Sequence, residues 1–466
     1  MTRLHCGLAG VLLLLIGAPS VLMAAEQPNI ILINCDDLGY GDIGCFGSTR
    51  HRTPNIDRMA AGGMRLTSYY VTSGVCSPSR ASLMTGCYPR RVNLHVDHKG
   101  DWVLFPQGKK GLNPDEVTMA EVLKDAGYAT AIVGKWHLGD QPEFLPTRQG
   151  FDRYFGIPYS NDMGWTDRKD RRYPPLPLLR DEAVIEQEPD QRYLTQRYTK
   201  EAIEFIRSHA EGPFFLYLPH SMPHWPQYAS EDFAGKSANG KWGDSVEEID
   251  WSTGQILDVL TELGIDGQTL VLFMSDNGGA VRHGASNRPL KGGKGGTFEG
   301  GQRVCCVVRW PGHIPAGATC DELTTSMDLL PTFARLAGGT VPADRAIDGQ
   351  DIWSLLSGQP GARSPHEVFF YYRMDTLECV RAGKWKLRVA MTRRKSTEPF
   401  VPQLFDLSED IAETTDVAGA HPEVVSRLQA LAEQARRDLG DGDSAGTGQR
   451  EAGFVEDARA LTGARR

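Results

Sequence analysis

The sequence of 466 residues predicts an α/β fold, in which helices sandwich a large, mostly parallel mixed sheet and a small C-terminal antiparallel sheet with one helix follows. Two observations predict this fold class. Between residue 28 and about residue 339, apolar strand-like runs alternate with helical patterns, which is typical of βαβ units. After Gly349 the pattern changes to short alternating strands, which indicates a small antiparallel subdomain.

Residues 1–25 are predicted to be a secretory signal peptide. Arg3 precedes the apolar run Leu8 to Ile16, and the small residues Ala24 and Ala25 stand just before polar Glu26. The alternative is an uncleaved membrane anchor, but the apolar run is short and interrupted by glycine and proline. No later stretch is long and apolar enough to span a bilayer, so we expect no stable membrane insertion and export to the periplasm or the extracellular space.

The clearest predicted strands are near-continuous apolar runs, which fits burial on both faces of a parallel sheet. They are Asn29 to Asn34, Ala129 to Val133, Phe214 to Leu218, Thr269 to Met274 and Val304 to Val308. Helices with readable start and stop signals lie between them. They are Pro54 to Ala61, a helix opened by Asn113-Pro114 and closed at Gly127, Tyr193 to Ser208, Val246 to Leu263 and Met327 to Leu336.

The C-terminal part is predicted to form four short strands and one helix. These are Val368 to Arg373, Glu378 to Arg381, Lys384 to Ala390, Gln403 to Leu407 and the helix Pro422 to Leu439. The tail that follows is rich in glycine, aspartate and arginine and offers little apolar surface to bury. We therefore expect a main α/β domain over residues 26–350, an α+β subdomain over residues 351–439 and a disordered tail over residues 440–466.

Charge and cysteine content exclude some classes of protein. The formal net charge of −9, without a long basic run, argues against nucleic acid as a partner. Of the nine cysteines, all but Cys6 follow the predicted leader, at scattered spacings that match neither a zinc ribbon nor a small disulfide scaffold.

Polar residues stand immediately after four of the predicted strands. They are Asp36-Asp37, Lys135-Trp136-His137, His220 with His224, and Asp276-Asn277. Ligands of open α/β sheets bind at the carboxyl ends of the strands, so we expect these residues to converge. Asp36, Asp37, Asp276 and Asn277 supply hard oxygen ligands, which suit calcium or magnesium. The alternative is that each pair only caps a turn or helix.

Cationic groups are predicted around the same rim, where they suit an oxyanion substrate. They are Arg80, Lys135, His137, His224 and Lys294. Taken singly, each is better explained as a solvated surface charge or a satisfied polar residue. The glycine-rich loop from Lys291 to Gly301 is flexible enough to approach a ligand, but it lacks the Walker pattern of nucleotide-binding proteins.

Cys76 opens the segment Cys-Ser-Pro-Ser-Arg-Ala-Ser-Leu-Met-Thr-Gly, which predicts a loop entering a short helix that ends at Gly86. A residue at the amino end of a helix meets partial positive charge and free N–H groups. Considered alone, Cys76 is equally well explained as a structural or disulfide cysteine.

This segment resembles the signature of the sulfatase family, in the alkaline phosphatase superfamily, whose cysteine a separate maturation enzyme oxidises to formylglycine (3-oxoalanine). Further blocks resemble the family in the same order along the chain. They begin at Asn34-Cys35-Asp36-Asp37, Gly134-Lys135-Trp136-His137, Ser275-Asp276-Asn277, Gly293-Lys294 and Trp310-Pro311-Gly312. Gly156-Ile157-Pro158-Tyr159-Ser160 resembles the branch that contains arylsulfatase A and the N-acetylgalactosamine-6-sulfatases. Cys305-Cys306 departs from relatives that commonly carry proline at the first position.

The resemblance implies a role for each of these residues. One Ca²⁺, with Mg²⁺ less expected, would be held by Asp36, Asp37, Asp276, Asn277 and the modified Cys76. Arg80, Lys135, His137, His224 and Lys294 would be catalytic. Ser160, Lys135, His224 and Lys294 would contact the substrate, with His224 preferred over His220 and Lys294 over Lys291.

The expected function is hydrolysis of a sulfate ester of a carbohydrate or an aryl alcohol. The expected partners are a sulfated small molecule or polysaccharide and the formylglycine-generating enzyme. A phosphomonoester or phosphonate monoester hydrolase of the same superfamily remains an alternative, as does a non-catalytic calcium- or carbohydrate-binding relative.

Overall fold

A large sheet, a four-stranded sheet, two small two-stranded sheets and the helices around them make up the part of the chain that the structure, a computed structural model, describes. The described part is residue 2 and residues 27–166, 170–392 and 399–462. The predicted signal peptide lies outside the described residues except for residue 2. Within the described ranges, no helix is long and apolar enough to cross a membrane. The eight cysteines of these ranges are free thiols.

The strands, in chain order, are β1 (Asn29–Cys35), β2 (Met64–Tyr70), β3 (Lys110–Gly111), β4 (Ala129–Val133), β5 (Arg153–Gly156), β6 (Pro177–Arg180), β7 (Ala183–Gln187), β8 (Phe214–Pro219), β9 (Thr269–Ser275), β10 (Arg303–Arg309), β11 (Ala318–Cys320), β12 (Thr324–Thr325), β13 (Phe369–Arg373), β14 (Thr376–Ala382), β15 (Trp385–Arg388), β16 (Gln403–Asp406), β17 (Gly440–Asp441), β18 (Ser444–Ala445) and β19 (Gly453–Phe454).

The α-helices are α1 (Pro54–Ala61), α2 (Cys76–Thr85), α3 (Met119–Asp125), α4 (Leu194–Ser208), α5 (Gly240–Glu262), α6 (Glu299–Gln302), α7 (Leu329–Leu336), α8 (Trp353–Leu356) and α9 (Pro422–Leu439).

The large sheet is mixed and has a parallel centre, which confirms the predicted fold class. Its strand order is β11-β2-β10-β9-β1-β8-β4-β5-β6-β7, and β12 also pairs with β2. Strand β1 lies parallel to both β8 and β9, and β4 lies parallel to β8 and β5. On one side of this centre, β10 pairs antiparallel with β9, and β2 pairs antiparallel with β10. On the other side, β6 pairs antiparallel with β5, and β7 pairs antiparallel with β6.

The core has one layer on each face of this sheet. Along β1, Ile30 and Leu32 pack into one apolar cluster, and Ile31 and Ile33 pack into the other. Alternate side chains of a strand point to opposite faces, and helices cover both faces, so every position of β1 must be apolar or hydrogen-bonded. A third apolar cluster lies between the β13–β16 sheet and α9.

Several predicted boundaries differ from the structure. Helix α3 begins after Thr118, because Thr118 and Glu121 form a capping box; Asn113 accepts a hydrogen bond in a turn before it. Helix α5 begins at Gly240, earlier than predicted. Strand β2 and the strands β5–β7 were not predicted, because their sequences lack a long apolar run.

The predicted disordered tail differs most from the structure. Strand β17 pairs with β18, and β19 pairs with β3. The buried Arg90 side chain donates hydrogen bonds to the carbonyl oxygens of Leu439, Gly442 and Ser444 at 3.0, 3.2 and 3.0 Å. Arg450 forms an ion pair with Glu116 at 2.7 Å. Polar contacts to the main domain order this segment, and the low apolar content of the tail gave no sign of them.

Candidate active site

The polar groups predicted at the strand ends meet at one edge of the large sheet. Cys35, the last residue of β1, pairs with Ser275 of the parallel strand β9, so Asp36 and Asp276 follow side by side. The N–H of Asp276 donates to the Cys35 carbonyl oxygen at 3.0 Å, and the N–H of Lys135 donates to the Pro219 carbonyl oxygen at the end of β8 at 2.8 Å. Four strand ends thus deliver side chains to one place, as predicted.

Three carboxylates and one amide form the centre of the site. Asp36, Asp37, Asp276 and Asn277 are each at most 1% exposed. The N–H of Asp37 donates to Asp276 Oδ1 at 3.2 Å, and Asn277 Nδ2 donates to Asp37 Oδ1 at 2.8 Å. One oxygen each of Asp36 and Asp276 lies within 4.8 Å of the other and of Cys76 Sγ.

This centre fits a hard divalent cation. Among the described residues, Asp36 Oδ1 and Asn277 Oδ1 are buried without a hydrogen-bond partner. Burial and the neighbouring charge of Asp36 raise the pKa of Asp276. Buried oxygens without a partner and crowded carboxylates are both stabilised by a cation that prefers oxygen ligands.

Cys76 is the first residue of α2, as predicted, and it is buried. Burial raises the pKa of its thiol to about 11, although Lys135 acts in the opposite direction. A protonated thiol is a weak nucleophile and a weak metal ligand, so the unmodified side chain is unsuited to covalent catalysis at neutral pH. Its position at the helix amino end, beside the carboxylate centre, suits an oxygen nucleophile that faces an anion.

Three cations neutralise the three carboxylates. Arg80 Nε donates to Asp276 Oδ2 at 2.9 Å, Lys135 Nζ lies 2.6 Å from Asp36 Oδ2, and Lys294 Nζ lies 2.7 Å from Asp37 Oδ2. Lys135 Nζ also donates to Ser160 Oγ at 3.3 Å. The formal charges of these six side chains sum to zero, so a bound divalent cation leaves the site positive. A positive, buried site suits a substrate oxyanion.

The two histidines have opposite hydrogen-bond arrangements. His137 Nε2 lies 2.9 Å from the Leu104 carbonyl oxygen, and Nδ1 has no partner among the described residues. Nε2 therefore carries the proton and Nδ1 offers a lone pair. Burial and the nearby Lys135 lower the pKa of His137, so its ring is neutral. His224 instead donates from Nδ1 to Asn161 Oδ1 at 3.1 Å, and its Nε2 lies 3.7 Å from Asp37 Oδ2.

The less favoured residues of the sequence analysis lie elsewhere. His220 is fully buried, and its Nε2 lies 3.5 Å from Ser252 Oγ. Lys291 donates to the Glu413 carbonyl oxygen at 2.9 Å. A cleft of about 360 Å³ is lined by Cys76, His137, Ser160, His224 and Lys294, together with other residues, and neither His220 nor Lys291 is among its lining.

Asn161 is a site residue that the sequence analysis missed. Its Nδ2 donates to Gln191 Oε1 and to the Pro226 carbonyl oxygen at 3.0 and 3.1 Å, which fixes Oδ1 as the acceptor for His224. Its position directly after Ser160 was the available signal. Asp37 and His137 were predicted, but their left-handed backbone, with φ of 70° and 66°, was not. Such conformations are unfavourable for residues with a Cβ and cluster at functional sites.

Comparison with known proteins identifies the family. Residues 28–339 match the sulfatase family, and residues 364–450 match the C-terminal region of aryl-sulfatase. The chain is 41% identical to arylsulfatase A of Bos taurus, covering 88% of this chain and 87% of that protein. It is 43% identical to N-acetylgalactosamine-6-sulfatase of Canis lupus familiaris, covering 78% and 72%.

A solved structure shares the fold and about a third of the aligned residues. The structure of Ps i-CgsB in complex with k-i-k-neocarrahexaose superposes with a TM-score of 0.75 at 32% identity, over 88% of this chain and 92% of that chain. The family match covers more than half of the sequence and includes every strand that delivers a side chain to the site. The chain therefore belongs to the sulfatase family and is a sulfuric ester hydrolase.

Proposed function

We propose that the chain hydrolyses sulfate esters of carbohydrates, using one Ca²⁺ and a formylglycine made from Cys76. Family membership implies a formylglycine and a divalent metal. The observation that carries the proposal is the position of Cys76 at the amino end of α2, within 4.8 Å of Asp36 and Asp276 oxygens. The names of the N-acetylgalactosamine-6-sulfatase and of the carrahexaose complex support a carbohydrate as the sulfated alcohol.

Asp36, Asp37, Asp276 and Asn277, with the side chain at position 76, would hold the calcium ion. Formylglycine at position 76 would supply an oxygen nucleophile for sulfur, and the cation would supply Lewis-acid stabilisation of the sulfate oxygens. Arg80 orients Asp276 through its 2.9 Å hydrogen bond, and Lys135 orients Asp36. Lys135 and Ser160 then donate to the sulfate group, which positions it over residue 76.

His137 and His224 take part in different proton transfers, the first as acceptor and the second as donor. His137 Nδ1 accepts a proton from residue 76, because its lone pair is free and Nε2 is occupied by the Leu104 carbonyl. His224 acts from its protonated form, whose Nε2 lies 3.7 Å from Asp37 Oδ2 and whose charge is favoured by that carboxylate. The Nε2 proton passes to the departing alcohol, which leaves His224 neutral with the proton on Nδ1, and Lys294 stabilises the developing charge on the alcohol oxygen.

Two further parts of the proposal concern partners and location. Conversion of Cys76 requires a formylglycine-generating enzyme, which acts before or during folding because the thiol is buried in the folded chain. Export is proposed from the leader-like residues 1–25.

The first test combines mass spectrometry with kinetics. The peptide containing residue 76 should show the aldehyde mass in active protein, and 4-nitrophenyl sulfate should be hydrolysed orders of magnitude faster than 4-nitrophenyl phosphate. Cys76→Ala should abolish turnover and leave the circular dichroism spectrum unchanged. Full activity with an unmodified thiol would overturn the formylglycine proposal, and preference for the phosphate would indicate a phosphomonoester hydrolase.

The second test concerns the metal. Calcium should raise the Tm of chelator-treated protein, because an ion that binds only the folded state stabilises it. Asn277→Leu should reduce that rise, since it removes an oxygen ligand, whereas Asp258→Asn on the exposed side of α5 should not. An equal rise in all three proteins would contradict a calcium site at Asn277.

A further inference from the structure

Trp225, His283 and Arg282 lie at the rim of the active-site cleft and have no part in the chemistry proposed above. The cleft of about 360 Å³ includes them in its lining together with Cys76 and Lys294. A second cavity of about 490 Å³ adjoins it and shares Arg282 and Lys294 with it. The space around the reacting bond therefore extends beyond the sulfate pocket and past Arg282.

Trp225 offers a flat apolar surface at this rim. Trp225 is 39% exposed, whereas most tryptophans of this chain are more buried. Its ring stacks on that of His283 at a centroid distance of 5.7 Å and an interplanar angle of 27°. Because Trp225 follows His224 directly and both line the cleft, this surface lies close to the group that faces the departing alcohol. An exposed indole beside a polar cleft suits the apolar face of a sugar ring.

Arg282 supplies a positive charge next to this surface. Its Nε donates to His283 Nε2 at 3.0 Å, and within the described ranges no carboxylate oxygen lies within 4.0 Å of its guanidinium nitrogens. Arg172, which also lines the cleft, differs because it pairs with Asp170 at 2.6 Å. The guanidinium of Arg282 thus keeps donors available for an anion in the cleft.

We propose that Trp225, His283 and Arg282 form a binding subsite for an oligosaccharide that carries a second anionic group, a sulfate or a carboxylate, on a sugar next to the sulfated one. The neighbouring sugar ring packs on Trp225, and its anion binds Arg282. The inference rests on the proposed function, because it assigns the alcohol part of the same ester. A small uncharged aryl group gains little from Arg282.

The test measures oligosaccharide affinity separately from turnover. Calorimetric titration of the calcium-loaded Cys76→Ala protein with tetrasaccharides of chondroitin 6-sulfate and of κ-carrageenan gives dissociation constants without hydrolysis. Arg282→Gln and Trp225→Ala in this background should each weaken binding about tenfold, and Arg282→Lys should weaken it less because the charge is kept. Arg427→Gln, an exposed arginine on α9, is the matched control and should leave binding unchanged.

Comparison of the two sugars identifies the anion. Chondroitin 6-sulfate carries carboxylates and sulfates, whereas κ-carrageenan carries sulfates only. An Arg282 effect confined to chondroitin 6-sulfate would identify a carboxylate, and an effect on κ-carrageenan would identify a sulfate. The affinity for either anion should also fall with added salt, less steeply in Arg282→Gln.

Hydrolysis of a small sulfate ester tests the catalytic chemistry separately from the oligosaccharide subsite. In the otherwise unaltered enzyme, Arg282→Gln should change kcat/KM for 4-nitrophenyl sulfate less than threefold. Equal affinities of Arg282→Gln and its parent for both tetrasaccharides, or no binding of either sugar to the parent, would overturn the subsite and leave the sulfatase assignment intact. Absence of hydrolysis of any sulfate ester by formylglycine-containing enzyme would instead contradict the proposed function.

Discussion

His137 and His224 differ in which ring nitrogen is engaged in a hydrogen bond, and this difference assigns them different roles. The Leu104 carbonyl oxygen holds the Nε2 proton of His137, and Asn161 holds the Nδ1 proton of His224. The free nitrogen is therefore Nδ1 in one ring and Nε2 in the other. The two partners are a backbone carbonyl and an amide that sequence reasoning had not selected.

Asn161→Leu is expected to lower kcat/KM for 4-nitrophenyl sulfate roughly tenfold, because a lost hydrogen bond of about 1 to 1.5 kcal/mol no longer orients His224. Asn161→Asp keeps an acceptor and adds a negative charge, which raises the pKa of His224. The protonated form of His224 then persists to higher pH, so the basic limb of the kcat–pH profile should shift to higher pH. Identical profiles for the two variants would contradict an orienting role for Asn161.

The glycine-rich loop between Lys291 and Gly301 is the element that joins the active site to the C-terminal sheet. On one side, the N–H of Gly295 donates to the Gly74 carbonyl oxygen at 2.7 Å, two residues before Cys76. On the other side, Arg373 Nε donates to the Gly295 carbonyl oxygen at 3.2 Å, and Thr297 hydrogen-bonds to Glu378. Contacts from both sides thus fix the backbone that carries Lys294.

A buried ion cluster anchors the end of this loop. Lys386 Nζ on β15 lies 2.9 Å from Glu299 Oε1 and 2.9 Å from Glu413 Oε1, and all three side chains are buried. Glu299 Oε1 also accepts a hydrogen bond from Tyr371 at 2.8 Å. Removing one member of such a cluster leaves buried charge without a partner.

Lys386→Met is therefore expected to lower the free energy of unfolding by about 3 kcal/mol, and to lower kcat/KM for 4-nitrophenyl sulfate because the Lys294 loop loses its anchor. Lys384→Met is the matched control on the same hairpin. Its partner Asp406 lies at 2.6 Å, but Lys384 is 50% exposed, so the expected loss is below about 1 kcal/mol. Denaturant titration measures both, and equal losses would contradict the importance of burial.

The C-terminal tail packs against residues from the first quarter of the chain. Strand β19 pairs with β3, and Arg450 Nε and Nη2 donate to Glu116 at 2.7 and 2.9 Å. Arg91 also pairs with both Asp348 and Asp438, at 2.7 and 2.6 Å. These contacts span hundreds of residues of sequence.

Deletion of residues 446–466 is expected to lower the Tm by several degrees, because it removes β19 and the Arg450–Glu116 pair. Arg450→Gln alone should reproduce part of that decrease, since the buried Glu116 loses its nearer cation and keeps Arg345 at 3.8 Å. Differential scanning calorimetry measures both. An unchanged Tm after the deletion would support the disordered tail that composition predicted.

Local sequence patterns were sufficient to predict the central strands, the helix at Cys76 and the residues at the strand ends. Continuous apolar runs such as Thr269 to Met274 fit strands that are buried on both faces of a sheet, and the carboxyl ends of neighbouring parallel strands lie at the same edge. Such patterns involve residues that are close together in sequence, so they can be recognised without a structure.

The hydrogen-bond partners, the paired edge strands and the ordered tail depend on contacts between distant residues, which local patterns do not predict. Asn161, the contacts of Arg90 with the tail carbonyls and the Lys386 cluster depend on residues far apart in sequence. Strand β2 is ordered by pairing with β10, not by its own apolar content. A polar side chain is stabilised in the interior only by a specific partner, and that partner comes within hydrogen-bond distance only when the chain folds.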